Sequence, residues 1–348
     1  MNVGVVVLNF GEPAEPSREA VIPFLERIFL ENASLERFDS RAAAEERAGE
    51  LARRRADGLI EEYKAIGGSP LQEQARAQVR AIDAELDSRG YDPTVRTAMQ
   101  YTEPLLDAVA AEMGTGGYDQ VIAVPIYPLS GPSTNIRAVG NFEAALAEVD
   151  PAVEFRAVTG WHRHPSYTRL RHENLESFLE ERDLDPRAPD TELVFSAHGT
   201  PTSYLAAGSR YDQYVEEFAA TLGALLDVEE YTLGYQNHAN RDVEWTGPDV
   251  ESALEGVDAE RVVVEPLSFL HEQSETLFEL DVELREEAEA LGLDFHRVPV
   301  PHDDPRLSEI VADLLEPFLA GFDPGTHQLR PCQCRDEPGT FCLNAPLE

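Results

Sequence analysis

Lysine is nearly missing from this chain. Lys64 is the only one; the 28 basic residues are otherwise arginine and face 66 acidic ones, for a formal net charge of −38. With a pI near 4.4, the chain cannot hold nucleic acid through its overall field, because phosphate binding needs clustered cations. Broad adhesion to an anionic membrane is excluded on the same ground. No run of about 18 or more apolar residues occurs, and the opening MNVGVVVLNF has no basic flank. The expectation is a cytoplasmic protein with neither a transmembrane segment nor a secretory signal. No G-x-G-x-x-G follows a strand, and no G-x-x-x-x-G-K-[ST] exists, so the nucleotide-binding loops are excluded. The absence of G-x-S-x-G argues against a serine hydrolase.

Cysteine is scarce too. Cys332, Cys334 and Cys342 are the only ones and fall within the last 17 residues. An odd number in a cytoplasmic chain disfavours a disulfide framework and favours thiolate ligation. Three cysteines leave a [2Fe–2S] cluster one ligand short of the usual four.

The acidic residues are spread along the chain, so they read as a property of its whole surface. Dense carboxylates of this kind suit a high-salt cytoplasm, where they keep a protein soluble and self-repulsion is screened. The other reading is a basic partner protein, for which no segment argues specifically.

A length of 348 residues suits about two domains. Short β-branched runs recur at 3–8, 94–99, 120–125, 154–158, 192–195, 232–234, 261–265 and 294–298. Most are continuously apolar, the pattern of strands buried on both faces of a parallel sheet. Helical stretches at 18–30, 71–88, 104–113, 167–181, 211–226, 275–291 and 305–322 lie between or after them. The expected fold is α/β: two similar doubly wound lobes, each a four-stranded parallel sheet flanked by helices, with a cleft between them. The lobes are predicted at 1–160 and 161–322, with the final helix packing back on the first lobe and a cysteine-containing tail at 323–348.

Ligands of open α/β sheets bind outside the carboxyl ends of the strands, and the distinctive segments begin there. They are NFGEP (9–13), YPLSGPSTN (127–135), SAHGTP (196–201), GYQNHAN (234–240) and PLSFLHEQSE (266–275). The first and third place Gly then Pro at matched offsets, which pairs Phe10 with His198 across the predicted cleft. His198 reads either as a structural histidine or as a neutral imidazole serving as ligand or base. Glu275, Glu279 and Glu283 recur every fourth residue, so they read either as a solvated helix face or as a built acidic row. Carboxylate and imidazole together suit a borderline divalent metal such as Fe²⁺. With no H-x-x-x-H or C-x-x-C pair, transient handling fits better than storage. His162 and His164 in WHRHP read either as metal ligands or, the better fit, as an exposed polar loop.

Taken in order, these segments resemble the ferrochelatase family, which inserts ferrous iron into a porphyrin during haem synthesis. NFGEP resembles N-[MLF]-G-x-P, and YKAIGGSPL (63–71) resembles Y-x-x-I-G-G-x-S-P-L with one residue fewer. YPLSGPST resembles Y-P-x-x-S-x-x-T, SAHGTP resembles S-A-H-[SG]-x-P, and ETLFELDVE resembles E-T-L-Y-E-L-D-x-E. Tyr235-Gln236 with Trp245 resembles [YW]-Q-S…W.

The resemblance implies a metal site at His198 and Glu275, and a proton or metal path through Glu279, Glu283 and Glu272. It implies a porphyrin pocket drawn from Phe10, Tyr127, Ser130, Thr134, Tyr204, Trp245 and Phe269. Fe²⁺ would be a substrate and a porphyrin the other, with transient contact to neighbouring haem-pathway enzymes.

Glu272-Gln273-Ser274 stands where the family usually has an Asp/Glu-His pair, so an accessory imidazole is missing there, with His271 nearby. Phe10 occupies a position tied to the choice between protoporphyrin IX and coproporphyrin III. A [2Fe–2S] cluster at Cys332, Cys334 and Cys342 would need a fourth ligand, for which YTRLRHENL offers His172. Alternatives are a cobalt or nickel chelatase of another tetrapyrrole, and a non-catalytic haem or porphyrin carrier.

Overall fold

The computed structural model describes residues 1–238, 242–324, 334, 335 and 337–344. Strand β1 (Val3–Asn9) is buried at all 7 positions, as expected of a strand with helices on both faces. It lies between β2 (Thr94–Met99) and β3 (Gln120–Pro125), parallel to both. With β4 (Glu154–Val158) and β9 (Thr340–Phe341) the first sheet runs β2-β1-β3-β4-β9. The second runs β6-β5-β7-β8, from β5 (Thr191–His198), β6 (Thr232–Gln236), β7 (Arg261–Pro266) and β8 (Asp294–Arg297).

The predicted four-stranded pair is therefore a five and a four. The extra strand comes from the tail, where Thr340 and Phe341 pair in parallel with Ala157 and Val158. Two residues carry too little pattern to be read from sequence.

The first lobe carries α1 (Arg18–Glu31), α2 (Arg41–Ala65), α3 (Leu71–Ser88), α4 (Leu106–Thr115) and α5 (Arg137–Val149). The second carries α6 (Pro165–Arg182), α7 (Thr202–Ala206), α8 (Tyr211–Leu225), α9 (Val250–Leu254), α10 (Arg285–Ala290) and α11 (Arg306–Leu319). Helix α2 was missing from the predicted set because many of its buried positions are alanines (Ala44, Ala48, Ala52, Ala56), which leave only a weak apolar stripe. Helix α11 lies on α3: Arg89 meets Asp313 at 2.6 Å and Glu316 at 3.0 Å. One apolar core runs through both lobes, joining Val5 and Ile82 to Phe195, Phe218 and Leu314.

Both sheets place their first strand second in order, so each has a switch point where neighbouring connections leave to opposite sides. Those points are β1/β3 and β5/β7, the strands that release NFGEP, YPLSGPST, SAHGTP and PLSFL. Two glycines there are sterically required. Gly11 has φ +82°, and a Cβ on it would meet Thr102 Oγ1 at 2.3 Å. A Cβ on Gly199 would meet Asn237 Oδ1 at 1.6 Å.

Most ion pairs lie at the surface, where they contribute little individually, and they cannot offset the large acidic excess. Raising KCl from low to molar concentration is expected to lift the melting temperature by roughly 5–10 °C, equivalent to a few kcal/mol of screened repulsion. A flat or falling melting temperature across that range would contradict the high-salt reading of the surface.

Candidate active site

The cleft between the switch points holds about 1720 Å³ of non-protein space, counting the part open to solvent. Phe10, Phe24 and Tyr101 form its wall on the first lobe. Phe10 meets Tyr101 edge to face at 4.7 Å and Phe24 at 6.1 Å between ring centroids. His198, His238, Trp245 and Phe269 line it from the second lobe.

His198 is the last residue of β5, paired in register with Gln236 of β6. Its backbone N–H donates to Ser268 Oγ at 2.9 Å, and its Nδ1 sits 2.6 Å from the Gly199 carbonyl. Nδ1 must therefore carry a proton, which leaves Nε2 as the nitrogen able to act as an acceptor or ligand. Nε2 is 3.1 Å from both Glu275 Oε1 and His238 Nε2. His238 Nε2 is 3.6 Å from Glu275 Oε1, and its Nδ1 is 3.9 Å from Glu279 Oε1. Each of His198, His238 and Glu275 offers one ligand atom, and these atoms lie within 4.8 Å of one another.

Burial alone would lower the His198 imidazole, but the Glu275 charge and hydrogen bond outweigh it and lift the pKa to about 9. Burial would raise Glu275, yet the two imidazoles hold it well below the carboxylate range. The mutual attraction of the pair thus favours its imidazolium–carboxylate form over the neutral imidazole. A divalent ion entering that pair displaces a proton.

The acidic row is not a solvated face. Glu275 and Glu279 side chains are 16% and 23% exposed and both line the cleft; only Glu283, at the far end, faces solvent. Burial raises Glu279 and Glu283, reinforced by repulsion along the row. The segment Glu275–Leu284 is π-helical and becomes α-helical only from Arg285, where the sequence predicted one α-helix. Gln236 braces the first of these turns. Its side-chain amide donates to the Glu275 carbonyl at 2.8 Å and to Glu279 Oε2 at 2.9 Å.

Tyr127, Thr134, Trp245, Phe269 and Phe10 all line the cleft. Ser130 does not: it is buried, while Leu129 and Gly131 on either side of it line the cleft. Tyr204 stands outside as well. Its hydroxyl accepts from Arg137 at 3.1 Å and donates to Asn32 Oδ1 at 3.3 Å. Glu272 is an anchor, not part of the path. Its carboxylate accepts from Arg297 at 2.8 Å, Val300 N at 3.1 Å and Thr276 Oγ1 at 2.6 Å.

His162 is buried and unpartnered among the described residues, not exposed as predicted, and burial lowers its pKa to about 4. His271 lines the cleft, lowered by burial to about 3. The accessory imidazole near Glu275 is His238, which sequence reasoning missed; the GYQNHAN segment after β6 was its only signal.

Cys334 and Cys342 Sγ atoms are 3.9 Å apart, two thiols where a [2Fe–2S] cluster needs four ligands. Cys332 lies outside the described residues. The fourth ligand considered from sequence, His172, contacts the Leu225 carbonyl at 3.2 Å.

The family model described as Ferrochelatase matches residues 2–318. A ferrochelatase of Synechococcus sp. (strain RCC307) is 35% identical over 331 residues, covering 92% of this chain and 83% of its own length. One from Nostoc sp. (strain PCC 7120) is 34% identical over 323 residues, covering 90% and 81%. Among solved structures, CbiX, the terminal enzyme of sirohaem biosynthesis in denitrifying bacteria, superposes with a TM-score of 0.51 at 16% identity, covering 90% of this chain and 98% of its own. The sirohydrochlorin chelatase SirB of Bacillus subtilis, in complex with cobalt, gives 0.51 at 11%, covering 92% and 97%. These last two share the fold. Matched along nearly its whole length, the chain belongs to the ferrochelatase family.

Proposed function

We propose that this protein inserts Fe²⁺ into a porphyrin, protoporphyrin IX or coproporphyrin III, to yield haem or coprohaem. The observation that carries this reading is the His198–His238–Glu275 cluster, opening into a cleft whose other wall is the Phe10–Phe24–Tyr101 aromatic cluster. A flat macrocycle needs apolar walls, and metal insertion needs a dication delivered at the ring centre and two pyrrole protons removed.

His198 Nε2 and Glu275 Oε1 face the ring centre, strip water from Fe²⁺ and accept a proton as the metal leaves them. His238 steadies that pair and links it to Glu279. The row from Glu275 through Glu279 to exposed Glu283 conducts charge between centre and solvent. Arg55 is the one arginine lining the cleft among the described residues. It is paired with Glu62 at 2.6 Å and is positioned to meet an anionic ring substituent. No step passes through the cysteines.

The test is anaerobic incubation of the purified protein with Fe²⁺, Co²⁺ or Ni²⁺ and each porphyrin, followed by absorbance. Turnover with Fe²⁺ exceeding that with the other metals is expected. Tight porphyrin binding without metalation would make the protein a carrier, and turnover confined to Co²⁺ or Ni²⁺ would reassign its metal.

A further inference from the structure

Glu12, the acidic residue of NFGEP, lies on the cleft surface and is 3% exposed. Its carboxylate collects donors from both lobes. From the first lobe come the Tyr63 hydroxyl at 3.1 Å and the Ser69 hydroxyl. From the second come the Ser274 hydroxyl and the Ser274 N–H at 3.3 Å. Among the described residues no cation is one of these partners, and the like-charged Glu275, next to Ser274, repels it. Gln72 holds the Glu12 backbone carbonyl at 2.9 Å, which fixes the loop. A buried carboxylate without a counter-charge among the described residues, placed on the cleft, is poorly suited to scaffolding.

We propose that Glu12 is a second proton acceptor for metal insertion, acting from the lobe opposite His198. This rests on the reading of the cleft as a porphyrin-metalating site. The reaction M²⁺ + H₂-porphyrin → M-porphyrin + 2 H⁺ releases two protons. One N–H bond breaks toward the His198–Glu275 side; the other proton forms an O–H bond with the Glu12 carboxylate, which then loses it to water. Burial, working against the Ser274 and Ser69 hydrogen bonds, raises Glu12 to about 7, so it exchanges a proton readily near neutrality. The groups facing it are Tyr63, Ser69, Tyr127, Ser274 and Glu275.

Glu12→Gln keeps one acceptor oxygen, enough for two of the four donors, and cannot take a proton. In Glu12→Gln, kcat at neutral pH is expected to fall about 10²-fold, with the porphyrin Kd unchanged. The rise of kcat with pH near neutrality is expected to vanish. Glu12→Asp should retain that rise. Native kcat and an intact pH limb in Glu12→Gln would overturn the proposal. So would parallel loss of porphyrin binding and thermal stability in both variants, which would make Glu12 a clamp between lobes. Either outcome, with native protein turning over, leaves the parent reading standing; native protein that metalates no porphyrin removes both.

Discussion

Replacing His198 with alanine or Glu275 with glutamine is expected to lower kcat for metal insertion by about 10²- to 10⁴-fold, while porphyrin affinity stays within a few-fold of native. The asymmetry follows from where the groups sit. Neither belongs to the Phe10–Tyr101 wall, so the macrocycle keeps its main apolar contacts, whereas the metal loses a ligand and the pyrrole nitrogens lose an acceptor. The two variants also differ in pH dependence. In native protein a proton competes with the metal for His198, whose pKa stands at about 9. The KM for metal should therefore fall about tenfold per pH unit between neutrality and that value. Removing the Glu275 charge leaves burial to dominate and drops the imidazole pKa, so in Glu275→Gln that dependence moves to lower pH. Stopped-flow metalation across pH checks both statements. Native turnover in both variants would remove these residues from the centre.

The second large effect concerns stability. Arg171 and Glu265 are fully buried, at 0% and 1% side-chain exposure. Burial would lower the Arg171 guanidinium, but Glu265 keeps it charged. The guanidinium also donates to Tyr167 OH at 2.9 Å, Pro266 O at 2.9 Å and Phe269 O at 3.1 Å. It therefore holds the loop that carries Ser268 and Phe269 into the cleft. Arg171→Met is expected to cost about 3–5 kcal/mol by leaving a buried carboxylate without its partner. The sign with pH is fixed. Burial already raises the folded-state pKa of Glu265 with Arg171 opposing it, and without Arg171 it rises further above the unfolded value. The folded protein then binds more protons, and the variant regains stability as pH falls. Arg171→Met/Glu265→Leu should recover most of the loss. Urea melts of the four proteins at two pH values check this; an additive double variant would refute the coupling.

Much of the fold was legible because parallel strands buried on both faces write themselves as apolar runs, and β2, β3 and β4 begin and end where those runs do. The likeness of NFGEP and AHGTP also placed Phe10 and His198 correctly on one cleft. What stayed hidden depended on neighbours distant in sequence. His238 lies 40 residues past His198, and only the pairing of β5 with β6 brings their ends together. Periodicity could not reveal the π-helical turns, because Glu at every fourth position fits an α-helix as well. Glu12 looked like one surface acid among many until Ser274 closed over it. Ser130 and Glu272 were assigned from motif positions, and motif position does not say which way a side chain turns.

The chain passes between its lobes more than once, entering α6 and later laying α11 across α3, where Arg89 grips Asp313 and Glu316. With the apolar core continuous through both halves, the lobes cannot swing apart like jaws without tearing that seam. At the rim, by contrast, α1 is tethered to the second lobe only through hydrogen bonds among Asn32, Arg137 and Tyr204. On the proposed reading a rigid disc would enter past those few polar contacts, between lobes held by a shared core.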